Sequence, residues 1–222
     1  MSEEGGRVGA VEATQPGSAG PATTGALRVR RAACERTTRE TTVRVSLDLD
    51  GTGAARVRTG VGFYDHLLMS FAHHALFDLV IEATGDLEVD EHHTVEDVAL
   101  ALGGALAEAL GDRAGIRRFG DASVPMDEAL ATAVVDVSGR AYAVLDLAFR
   151  AERVGALSTQ LVEHALESFV RTSGITLHLR ASGRSDHHVA EAAFKALARA
   201  LREATEIDPR RVGVPSTKGF LA

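Results

Sequence analysis

The chain has 222 residues, 45% apolar and 25% charged, which is enough for one large domain or two small ones around a real core. Its formal charge of −7 disfavours a general nucleic-acid or anionic-membrane surface, leaving room only for local basic pockets. The single cysteine, Cys34, gives no disulfide framework. With no apolar leader behind "MSEEGG" and no bilayer-length apolar run, a reducing, cytoplasmic setting is expected.

Residues 1–26 are rich in Gly, Ala, Thr, Ser and Pro without large apolar periodicity, and are expected to form a disordered tail. Alternation through Val43, Val45, Leu47 and Leu49 predicts a strand reaching Gly51. "GFYDHLLMSFAHHALF" carries Phe63, Leu67, Phe71 and Ala75 at helical spacing, and "DLVIEATG" reads as a short strand. Val95, Val98, Leu102, Leu106 and Leu110 then mark a helix ending at Gly111.

The second half replays this order. "EALATAVVDVSGRAYAVLDLAF" reads as a strand pair, "STQLVEHALESFVRTSG" as a helix, "ITLHLRASG" as a strand and "HHVAEAAFKALARALREAT" as a helix. Sliding residues 92–110 onto 187–205 matches nine of nineteen positions. Upstream, Glu40, Asp48 and Gly51 fall on Glu128, Asp136 and Gly139, and His66 falls on His164. The expected fold is α+β: duplicated β-β-α-β-α units over 27–115 and 116–208, with a helical layer between two sheets and a C-terminal segment over 209–222.

Four of the nine histidines sit in "EHHTVE" and "DHHVAE". On a helix, i and i+4 share a face, so His92 with Glu96 and His187 with Glu191 each form a two-toothed grip. His93 and His188 point about 100° away and cannot serve the same ion from the same helix. If the two helices lay side by side, His93 could reach the grip of His187 and Glu191, and His188 that of His92 and Glu96. His66 and His164 would supply one further nitrogen to each ion. Three imidazoles and a carboxylate without thiolate suit a six-coordinate first-row ion such as Mn²⁺, with Fe²⁺, Co²⁺ and Zn²⁺ as competitors. Asp97 is placed to orient His93 as an outer acceptor, although Ala192 occupies its repeat position.

Other polar residues are individually weaker signals. Arg117, Arg118, Arg140 and Lys195 each read alone as solvated charges, and Glu40 as a surface strand residue. His73 and His178 lack repeat partners and read as structural. The terminal "GVPSTKGFLA" places Ser216 and Lys218 among glycines after a proline, which suits an anion-clamping loop.

"GFYDHLLMSFAHHALFDL", "DEHHTVEDVALALGGALAEALG", "GIRRFGDASVPMDEALA", "DHHVAEAAFKALARAL" and "GVPSTKG" together closely resemble the imidazoleglycerol-phosphate dehydratase family. The resemblance spans about residues 27–222. Only the stretch between "LDLAF" and "EHALESF" departs from the family's wording.

The resemblance implies a dimanganese lyase of histidine biosynthesis, with two Mn²⁺ per active site. It implies a 24-subunit shell built from trimers, with active sites at subunit contacts. One ion would be held by His66, His93, His187 and Glu191, the other by His92, Glu96, His164 and His188. Arg118, Arg140, Lys195, Ser216 and Lys218 would bind the substrate phosphate. Glu40 and His74 would contact substrate, with Glu40 as the candidate base. Such a site suits loss of a barely acidic carbon-bound proton, because metal charge stabilises the imidazole anion while a carboxylate takes the proton.

Two other functions compete. A dinuclear phosphohydrolase would also use two ions and a basic pocket. A layered RNA-binding module is opposed by the acidic balance and by the absence of Trp and presence of only two Tyr.

Overall fold

The computed structural model describes residues 29–221. The tail expected over 1–26 lies outside the described residues. In chain order the elements are β1 (Arg31–Thr37), β2 (Thr41–Asp48), β3 (Ala55–Arg58), α1 (Gly62–Ala75), β4 (Asp78–Gly85) and α2 (His92–Leu110). The second half follows with β5 (Phe119–Met126), β6 (Ala129–Asp136), β7 (Tyr142–Leu147), β8 (Arg153–Val154) and β9 (Leu157–Ser158). It ends with α3 (Thr159–Ser173), β10 (Thr176–Ser182) and α4 (Asp186–Thr205).

The sheets are ordered β1-β2-β4-β3 and β5-β6-β10-β7, the same topology element for element. In each, the third strand of the half runs parallel to the fourth, as β3 does to β4 and β7 to β10, and the other pairings are antiparallel. The α+β duplication is therefore visible in the backbone. Each unit carries three strands of its four-stranded sheet before its first helix, one more than the expected two, and the second unit adds the small β8–β9 hairpin before α3. β3 escaped the sequence pattern because its four residues, Ala-Arg-Val-Arg, bury only Val57. β6 and β7 are not paired with each other; β10 lies between them.

Period-two burial explains the strands: β2 turns Val43, Val45 and Leu47 inward and Arg44 and Ser46 outward. The helices occupy the space between the sheets. α2 lies on β1 and β2, α4 lies on β5 and β6, and the two halves meet crosswise, α1 on α4 and α2 on α3. Small residues permit that approach. A side chain at Gly103 of α2 would run into the Phe169 carbonyl of α3, and one at Gly120 of β5 would run into the Ala200 carbonyl of α4. Ala192, Ala193, Ala196, Ala198, Ala200 and Ala204 of α4 are all fully buried, so one apolar core crosses both halves. Among the described residues no helix is long and apolar enough to cross a membrane.

Candidate active site

Each His-His helix brings a carboxylate one turn later to face a histidine from the other half. His66 of α1 and His187 of α4 both point Nε2 at Glu191 Oε2, at 3.1 and 3.2 Å. Across the molecule, His92 and Glu96 of α2 meet His164 of α3, whose Nε2 lies 3.5 Å from Glu96 Oε1. Within each trio the potential ligand atoms lie within 4.8 Å of one another. Both trios arise from the crosswise packing, since α1 meets α4 and α2 meets α3.

The electrostatics suit a cation. Lys195 Nζ holds Glu191 Oε1 at 2.7 Å, leaving Oε2 to the imidazoles. Burial works to raise the Glu191 carboxyl, but hydrogen bonds and charge from Lys195 and His66 outweigh it and hold it at about 2. Arg171 Nη2 similarly sits 3.0 Å from Glu96 Oε1. His164 Nε2 is buried with no hydrogen-bond partner among the described residues, an orphan that a metal ion at this trio would satisfy. Nitrogen and carboxylate donors without thiolate fit a first-row ion of the Mn²⁺ type.

His93 and His188 join neither trio within the chain. The expected reach across side-by-side helices does not occur, because α2 and α4 each pack against the other half's first helix instead. His93 Nδ1 contacts Asp86 Oδ2 at 2.9 Å, and His188 Nδ1 contacts Glu128 Oε2 at 2.8 Å. The Asp86 hydrogen bond raises the His93 pKa against a smaller effect of burial, and Glu40 adds to the rise. The expectation for Asp97 is also corrected. Asp97 is committed to the sheet, taking Arg36 Nε at 2.6 Å and the Thr41 hydroxyl, and it does not reach His93.

Both trios lie at one end of the helical layer, and one segment ties that end together. Glu91, just before α2, accepts from Arg153 Nη2 at 2.6 Å and Ser158 N at 3.0 Å. Asp186, opening α4, accepts from Arg150 N at 3.1 Å and Ala151 N at 2.6 Å. The stretch after "LDLAF" thus straps the starts of both His-His helices. Sequence reasoning found neither this strap nor Asp86. For Glu128 a signal existed, its repeat match to Glu40.

The expected phosphate-binding residues divide between two places. Lys195 sits at the Glu191 trio, and its charge, after burial, helps hold the His74 pKa down, so His74 belongs to that neighbourhood. Arg118 lies at the other end of α4, its N–H donating to Ala204 O at 2.8 Å. Its guanidinium takes Asp136 at 2.7 and 3.1 Å and Pro215 O at 3.0 Å, which fastens the C-terminal segment beside it. Arg140 approaches the same Asp136 at 3.8 Å. Ser216 Oγ accepts from Lys218 N at 3.2 Å, and Lys218 is exposed. Thirteen helical residues separate Glu191 from Ala204, about 20 Å of axial rise. One chain therefore does not bring Arg118, Arg140, Ser216 and Lys218 to its own trios. Glu40, in the β1–β2 turn, has no side-chain hydrogen bond or ion pair among the described residues, and its charge acts on His93.

Fold and site together define a duplicated α+β protein with paired His₂Glu metal-type clusters and a separate basic, loop-borne patch. A family model described as imidazoleglycerol-phosphate dehydratase matches residues 59–201, a stretch that excludes Glu40, Ser216 and Lys218. The imidazoleglycerol-phosphate dehydratase of Methanococcoides burtonii is 54% identical over 193 residues, covering 87% of this chain and all of that one. The chloroplastic enzyme of Pisum sativum is 56% identical over 190 residues, 85% of this chain and 68% of its own. The crystal structure of the dehydratase from Staphylococcus aureus superposes with a TM-score of 0.73 at 35% identity, covering 80% of this chain and 99% of that one. This chain belongs to the imidazoleglycerol-phosphate dehydratase family.

Proposed function

We propose that this protein is a cytoplasmic hydro-lyase that removes water from D-erythro-imidazole glycerol phosphate, giving imidazole acetol phosphate in histidine biosynthesis. The observation that carries this reading is the pair of His₂Glu trios in a chain that matches dehydratases over most of its length. The two ions are Mn²⁺, with His66, His187 and Glu191 as one ligand set and His92, Glu96 and His164 as the other. His93 and His188 complete these sets from other copies of the chain, His93 with the first and His188 with the second. A bound Mn²⁺ pair supplies positive charge that acidifies the substrate imidazole N–H and stabilises negative charge on its ring.

The chain's own residues do the rest. Glu40 is the base that takes the carbon-bound proton, and its uncommitted carboxylate supports that role. His74 and Lys195 contact substrate beside the first trio. Arg118, Arg140, Ser216 and Lys218 hold the phosphate from a neighbouring copy, because about 20 Å of α4 separates them from the trio on their own chain. That separation favours a multi-subunit assembly, and we propose 24 subunits built from trimers.

The test joins metal analysis of purified protein with a dehydratase assay. Two Mn²⁺ per chain and an ultraviolet-absorbing ketone product are expected. Release of inorganic phosphate without that ketone would replace the reading with a dinuclear phosphohydrolase. Chelation should abolish turnover and shrink the particle; a particle of unchanged size after full metal removal would sink the structural role of the metal.

A further inference from the structure

We propose that Asp86 and Glu128 are positioning residues that fix the tautomers of His93 and His188, so that each ring offers its Nε2 lone pair outward to an ion gripped by another copy. The inference rests on the metal reading above and adds two residues to it.

An ionised carboxylate only accepts, so a ring nitrogen 2.9 Å from Asp86 Oδ2, or 2.8 Å from Glu128 Oε2, must carry the proton. A neutral imidazole has one N–H, so both rings are left with their lone pair on Nε2. Among the described residues no second acceptor competes for the His188 ring: its Nε2 lies 4.0 Å from Asp127, beyond hydrogen-bond range. The trios already in place use the same atom, with Nε2 of His66, His187 and His164 facing the carboxylates.

Glu128 is held rigidly enough to orient a ring. Its Oε1 accepts from Arg184 N at 3.1 Å and Ser185 N at 2.8 Å at the start of α4, leaving Oε2 to His188. Asp86 follows β4 directly, and its second carboxylate oxygen is buried without a partner among the described residues. The two supports come from unrelated positions. The repeat counterpart of Glu128 is Glu40, which does not hydrogen-bond His93. Two halves that share a fold reach the same ring nitrogen by different routes, which favours selection for that contact over simple inheritance of it.

The experiment uses full-length chain labelled with ¹⁵N-histidine, read as long-range ¹H–¹⁵N spectra of the metal-free protein at pH 8, with Mn²⁺ titration alongside. In the wild type, His93 and His188 should be protonated at Nδ1. Asp86→Ala should free only the His93 tautomer and weaken one of the two ions by about 10–100-fold, and Glu128→Ala should do the same for His188 and the other ion. Asp86→Asn and Glu128→Gln should restore most of both effects, because an amide oxygen still accepts from Nδ1. Should Glu128→Ala fail to fold for want of its backbone contacts, the Asp86 pair decides alone, since the Asp86 side chain makes no second bond among the described residues. Protons on Nε2 in the wild type, or an Asp86→Ala protein with unchanged tautomer and Mn²⁺ affinity, would overturn the proposal. A wild-type chain that takes up no Mn²⁺ defeats the metal reading by itself, while the tautomer spectra judge the positioning role separately.

Discussion

The turn joining β1 to β2 and the turn joining β5 to β6 hold the same place in their repeats, and each carries a glutamate at the matched position. Glu128 is bound on both oxygens, to two backbone N–H groups and to His188, and these bonds hold its pKa at about 2. Glu40 makes none of these contacts, and its turn is closed by Thr38 instead, whose Oγ1 accepts from Glu40 N and Thr41 N at 3.2 and 3.0 Å. Duplication supplied two equivalent carboxylates. One became part of the scaffold, and the other stayed free to act on something outside the chain.

The sharpest way to break that contrast is to neutralise both. Glu40→Gln should lower kcat by ~10²–10⁴-fold with Mn²⁺ content and assembly unchanged. Glu128→Gln, whose amide oxygen still accepts from His188, should cost stability while Mn²⁺ affinity and kcat at full metal loading stay near wild type. Equal losses of kcat at full metal loading in the two variants would erase the distinction. The trios extend the comparison to the ligands: Glu96→Gln and Glu191→Gln should each bring the Mn²⁺ count from two toward one per chain, measured by elemental analysis. Two ions retained in both would show that the carboxylates are not divided between ions.

A smaller effect is expected at the basic end. Arg118→Ala should weaken substrate binding by about 2 kcal/mol, and a dephosphorylated analogue far less. The same loss on both ligands would assign Arg118 to anchoring Pro215 instead. The smallest effect is thermodynamic. Glu128 and Glu191 both sit at about 2, below the ordinary 4.5, so on acidification the unfolded chain takes up protons before the folded one. Their contribution is complete above pH 4.5 and lost as pH falls toward 2. The Tm of metal-free protein should be level near neutrality and drop across that window, less steeply in Glu128→Gln. An unchanged slope in that variant would mean that Glu128 is not the scaffold carboxylate.

Much of the fold and half of the site could be read from the chain. The His-His-x-x-Glu spacing fixes which side chains share a helical face, and "DLVIEATG" coincides with β4 from end to end. Periodicity marks an apolar stripe on a helix, but it does not say which other helix the stripe meets. α2 is buried on several sides, so its pattern could not reveal that α3, and not α4, lies against it. Asp86 was illegible for a related reason. It sits in "GDLEVDEHH" among Glu88, Asp90 and Glu91, and only the loop path singles out the one that meets His93.

Crosswise packing also sets a timetable for the growing chain. α1 finds its partner only when α4 has been made, some 120 residues later. At typical rates of synthesis that is a wait of roughly 6–25 s, during which Tyr64, Leu68 and Phe71 on α1, which line one cavity with Phe194 and Leu197 of α4, lack their final cover. The first half emerges as a sheet with two helices and no opposite layer. Its exposure to chaperones and to mispairing with neighbouring nascent chains is therefore set by the length of the second half, and a pause on the ribosome anywhere between β5 and α4 would lengthen it.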